Sequence, residues 1–150
     1  MEDIKRILVM SRSTKSCHKA VHYGFKLSRM VGAELYVAHV FTDIFNLKGG
    51  NIFISQDEIR EEYEQAKSKT KAELDKLIAA EQDPEKPVKV EEIITNGPVY
   101  DEIIGMVEKD DIDLLIMMAH EEGHLESYLF DHDNQRLIRT MPCSIFLVKE

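Results

Sequence analysis

A chain of 150 residues with 43% hydrophobic and 31% charged residues has the composition of one globular domain with one core. Its net charge of −9 opposes binding to nucleic acid or to an acidic membrane surface. No apolar run approaches the roughly 20 residues of a membrane helix, and the N-terminus has no signal-peptide pattern, so the expected protein is soluble and cytoplasmic. Cys17 and Cys143 lie far apart without metal-type spacing and read as two reduced thiols.

Ile7-Leu8-Val9-Met10 is a continuous apolar run, the mark of a strand buried on both faces. Ser13 and Thr14 are suitable N-caps for the helix that follows. Cys17, Ala20, Val21, Gly24, Leu27, Ser28 and Val31 form its apolar face, and Gly32 closes it. Leu35–Val40 is the second strand. The connection 43–56 carries Ile44, Phe45, Leu47, Ile52, Phe53 and Ile54 around Gly49-Gly50. It is unusually apolar for a loop, and could cover a pocket, pack over the sheet edge or meet a protein partner.

Ser55 and Glu58 have capping-box spacing. They predict a long charged helix to about Ala80, with Ile59, Tyr63, Ala66, Leu74, Leu77 and Ile78 on its buried stripe. Val88–Glu91 alternates and then gives way to Ile93-Ile94, which suits a sheet edge. Gly97-Pro98 starts the next helix, with Pro98 expected at its first helical position and Asp101 and Glu102 in its first turn. Leu114–Met118 is the most apolar strand and belongs at the sheet centre. A polar segment, 119–133, leads to a short helix around Leu137, Ile138 and Met141. Ser144, Ile145, Phe146, Leu147 and Val148 form the last strand.

Strands thus alternate with helices, which requires parallel pairing and helices on both sheet faces. Ligands of such a sheet sit beyond the carboxyl ends of the strands at the switch point. That places a site at Met10–Thr14, Val40–Thr42 and Ala119–Asp133.

Several segments together resemble the universal stress protein family. They are Lys5–Val9, Gly32–Leu35 with His39-Val40, Asn96-Gly97-Pro98, Asp113–Met117 and Arg139–Cys143. The resemblance covers nearly the whole chain. It implies an open five-stranded parallel sheet of order 3-2-1-4-5, Rossmann-like and akin to the adenine nucleotide alpha hydrolases, in one domain spanning 1–150. It also implies homodimers joined through the last strand.

Many members of the family bind ATP through an Asp after strand one, a Val ending strand two and a glycine motif after strand four. The glycines let backbone N–H groups approach the phosphates. Here Val40 matches, as does Met117 before the motif. Arg12 stands at the Asp position. Met118, Glu121 and Asp131 stand at the glycines, His132 at the Ser/Thr, and Gly123 is out of register. The family positions Met10, Arg12, Val40, Met117, Ala119, Gly123 and His132 are therefore the candidate nucleotide-binding residues, for ATP or another adenine nucleotide with or without Mg²⁺.

The segment 119–133 carries five carboxylates and no Lys or Arg. Each would repel a phosphate at contact distance by roughly 1–4 kcal/mol. A degenerate nucleotide pocket is the expectation. His120, His124 and His132 among those carboxylates offer a divalent-cation or pH-responsive alternative, without an established metal spacing. Ser11, Ser13, Cys17 and His39 lie near the presumed site but present no spacing that specifies a catalytic set, and His39 is expected as a hydrogen-bonded core residue. The chain has no Walker lysine and no dinucleotide fingerprint.

The last strand does not alternate, yet the 3-2-1-4-5 order leaves it at an edge. A bare apolar edge invites pairing with another chain.

Overall fold

A computed structural model describes residues 3–11, 17–41, 55–119 and 135–149. Five strands, β1 (Arg6–Ser11), β2 (Glu34–Phe41), β3 (Val90–Asn96), β4 (Leu114–Ala119) and β5 (Ser144–Lys149), form one sheet of order β3-β2-β1-β4-β5. Every pairing is parallel. The expected topology is therefore present, with the two most apolar strands adjacent at the centre.

The helices are α1 (His18–Val31), α2 (Gln56–Glu81) and α3 (Val99–Lys109); residues 135–140 are also helical. Because side chains alternate along a strand, each central strand feeds two cores. On one face Ile7, Val9, Val37 and Ile116 pack with Ala20, Val21 and Phe25 of α1 and Leu74 of α2. On the other, Leu8, Met10, Leu115 and Met117 pack with Val99, Ile103 and Val107 of α3 and with Leu137.

Local chemistry sets the element ends. Gly32 adopts φ 74°, the left-handed conformation that stops α1, and its N–H donates to the Ser28 carbonyl. The predicted capping box is complete: Glu58 N–H donates to Ser55 Oγ, and Ser55 N–H donates to the Glu58 carboxylate.

Two ends differ from expectation. Pro98 is the N-cap of α3, not its first helical residue. Its ψ of 122° is extended, and its carbonyl accepts from Glu102 N–H. The described part of α1 begins at His18 with Cys17 at the N-cap, while Ser13 and Thr14 lie outside the described residues.

At the end of α2, Gln82 takes the place of a capping glycine. Its side chain donates to the Val88 carbonyl at 2.7 Å and accepts from Val88 N–H at 3.1 Å, which turns the chain into β3. Arg29 of α1 donates to the carbonyls of Glu81 and Lys86 and ties the two helices together. Asp113 joins the starts of β1 and β4: its carboxylate accepts from both Lys5 and Arg6 N–H.

Candidate functional site

The site is set by where β1 and β4 stop pairing. β1 pairs with β2 as far as Ser11↔His39. Its pairing with β4 ends at Val9↔Ile116, although both strands run further. β4 meanwhile stays paired with β5 to Ala119↔Lys149. The chain also reverses direction of sheet growth at β1, since β2 lies to one side of it and β4 to the other. The crevice of a parallel open sheet belongs at such a point.

The structure brings Met10, Val40 and Met117 into one apolar layer on the α3 face, at the carboxyl ends of three adjacent strands. All three are buried. Their side chains belong to the α3-side core at these strand ends. Ala119, the last residue of β4, is half-buried. Arg12, Gly123 and His132 lie outside the described residues, as do His120 and His124 and the connection 43–54.

The opposite face of the same strand ends is polar. Ser11 Oγ lies 3.3 Å from His39 Nδ1, and both residues are buried. The Cys17 thiol also hydrogen-bonds Ser11. The His39 ring meets Phe41 edge-on with centroids 4.6 Å apart, and Phe41 meets Tyr63 of α2 in the same manner at 5.8 Å.

Burial decides the protonation states here. It holds His39 below the ordinary imidazole range, against a smaller opposing pull from the Glu73 carboxylate. Burial likewise pushes the Cys17 thiol up, more than its bond to Ser11 lowers it. A neutral imidazole beside a protonated, buried thiol is a satisfied polar set within the core, as expected for His39. A nucleophilic cysteine requires the reverse shift. The hydroxyl, thiol and imidazole meet only because α1 sets Cys17 beside β1 and the β1–β2 register sets Ser11 opposite His39.

The last strand is an edge among the described strands, since β5 pairs with β4 alone. Val148 is buried, Ile145 and Phe146 are half-buried, Ser144 is exposed and Leu147 is 46% exposed. Ile145 packs against the α3-side core and Phe146 against the α1-side core. The apolar surface expected along this edge is thus concentrated at Leu147. Among the described residues no helix is long and apolar enough to cross a membrane.

Comparison with known proteins agrees with this architecture. The model of the universal stress protein family matches residues 3–149. A curated universal stress protein of Aquifex aeolicus (strain VF5) is 25% identical over 126 residues, which are 81% of this chain and 89% of that one. A solved universal stress protein in complex with cAMP covers 99% of this chain and 98% of its own, with a TM-score of 0.64 and 15% identity. The universal stress protein from Archaeoglobus fulgidus in complex with dAMP covers 99% and 100%, with a TM-score of 0.61 and 13% identity. At these identities the two structures speak for the fold.

Proposed function

The chain belongs to the universal stress protein family, and from that membership we propose that it is a homodimeric regulatory protein of the stress response whose nucleotide pocket is degenerate. The observation that carries this reading is the segment that leaves β4 at the crevice. Between Ala119 and Asp133 it has five carboxylates, no Lys or Arg, and none of the three glycines at the family positions. A triphosphate would meet like charge, and side chains would stand where phosphate oxygens need close backbone approach. Met10, Val40 and Met117 at the strand ends are apolar and supply no cation to compensate.

A second reading has its own support. The solved relatives with cAMP and dAMP hold adenine nucleotides with a single phosphate. The apolar strand ends suit a base, and one phosphate meets less repulsion than three. In this reading the chain keeps the adenine side of the site and binds a nucleoside monophosphate.

Isothermal calorimetry with ATP, with ATP and Mg²⁺, and with AMP and cAMP tests both. The degenerate reading expects no micromolar binding of any of them. Micromolar AMP or cAMP with weak ATP establishes the second reading, and micromolar ATP overturns both.

A further inference from the structure

The outer edge of β3 lies away from the crevice and has a different character. β3 pairs with β2 alone among the described strands. Leu35 N–H donates to the Lys89 carbonyl at one end of this pair, and Gly97 N–H donates to the Phe41 carbonyl at the other. The alternation of a parallel ladder then points the backbone groups of Glu91, Ile93 and Thr95 at β2 and those of Glu92 and Ile94 outward. No other described residue bonds to those outward groups.

Two helices stand on either side of this edge. Lys67 and Lys71 of α2 flank it on one face, and Gly105, Met106 and Lys109 of α3 on the other. Between them runs a groove of about 750 Å³ whose floor is the segment 91–95 of β3. Gly105 keeps the α3 wall low. A Cβ placed there would meet nothing within 4 Å, so no packing contact calls for glycine. Glycine inside a helix nevertheless costs roughly 0.5–1 kcal/mol relative to alanine.

The groove is acidic on balance, with five carboxylates against three lysines in its lining. Lys71 is already shared between Asp75 and Glu92, at 3.2 and 3.1 Å. Burial and the neighbouring Asp75 hold the Glu92 carboxyl above its ordinary range, against the opposing pull of Lys71. Glu91 and Asp101 are exposed and form no ion pair among the described residues.

We propose that this edge docks an extended cationic segment of a partner protein, which adds to the five-stranded sheet as a further strand between α2 and α3. The outward N–H and C=O groups of Glu92 and Ile94 supply the backbone bonds. Ile94 and the aliphatic stems of Lys67 and Lys71 receive apolar side chains on the α2 face, and Glu91 and Asp101 receive the cations on the α3 face. A second copy of this chain fits poorly, because pairing edge to edge sets two acidic rims together.

The test uses fluorescein-labelled peptides matched to the seven residues of β3. One alternates lysine and valine, one alternates glutamate and valine, and one is the lysine peptide N-methylated at alternate backbone positions. Anisotropy should show saturable binding of the lysine peptide only, with at least tenfold weaker binding after N-methylation. Gly105→Leu fills the groove and should weaken binding at least tenfold, as should Glu91→Lys combined with Asp101→Lys. Thermal melts confirm that each variant is folded, and N-methylation on the unaltered protein serves if one is not. Equal binding of the lysine and glutamate peptides, tolerance of N-methylation, or no binding of the lysine peptide overturns the proposal. So does a β3-edge variant that converts a dimer of this chain to monomer.

Discussion

Ser11 Oγ and His39 Nδ1 sit 3.3 Å apart in the core, one on each of two adjacent parallel strands and in direct register. The burial of His39 in this pair gives the chain a predictable acid sensitivity. Burial keeps the folded imidazole below its ordinary value of 6.5, while the unfolded chain regains that value. Below about pH 6.5 the unfolded state therefore binds more protons, and stability falls as the pH drops. Above it both states are neutral at this position and the contribution is flat. Glu73 and the Cys17 thiol face the same cluster, and the thiol stays protonated throughout this window. Urea midpoints measured from pH 7.5 to 5 should decline, and His39→Gln should flatten that decline. An unchanged slope in the variant would assign the acid sensitivity to other groups.

Gly24 of α1 lies where the helix crosses the sheet. A Cβ at this position would stand 2.6 Å from Val9 Cγ2 and 3.0 Å from Leu35 Cδ1. Both partners are fully buried β-strand side chains without space to retreat. Gly24→Ala should raise helix propensity yet destabilise the fold by about 1–3 kcal/mol, the range for overpacking. Gly105→Ala is the contrasting change, with open space at its Cβ, and should stabilise by roughly 0.5–1 kcal/mol. Calorimetric melting of both variants compares the signs, and a stable Gly24→Ala protein would show that α1 can move away from the sheet.

The degenerate-pocket reading predicts a charge effect. If carboxylates of the segment 119–133 repel phosphate, Glu121→Gln with Glu122→Gln should improve ATP affinity more than AMP affinity. Raising the salt concentration should shrink the gain, because screening weakens charge–charge repulsion. An equal gain for both nucleotides, or none, would move the cause from charge to the missing glycines.

The sheet was legible because its information is local. The apolar runs at 7–10 and 114–118, the left-handed Gly32 and the Ser55–Glu58 capping box each speak through neighbouring residues. Features that depend on residues brought from afar were not. The reciprocal bonds between Gln82 and Val88 have no sequence signature. Pro98 has the same fixed φ as an N-cap and as a first helical residue, so only its ψ separates the two. The same divide runs through the candidate site. Met10 and Val40 could be named from their place at strand ends and Met117 from the family resemblance, whereas the end of β1–β4 pairing at Val9↔Ile116 and the meeting of Ser11, Cys17 and His39 follow from register.

Dimerisation through β5 remains a proposal with a sharper test than the sequence offered. Either Ile145 or Leu147 would serve as the site of an introduced charge on sequence alone. The structure separates them. Ile145 packs against the α3-side core, so a charge there damages the subunit as well as any interface. Leu147 is 46% exposed on a strand that pairs on one side alone among the described strands, so Leu147→Asp should leave the monomer folded. If two β5 strands pair across a two-fold axis, each dimer would bury two such carboxylates in an apolar seam. The dimer should then weaken by at least a factor of about ten, the equivalent of about 1.4 kcal/mol. Sedimentation velocity across a concentration series reads the change, and circular dichroism checks the fold. An unaltered dimer with Leu147→Asp would place the interface elsewhere than β5.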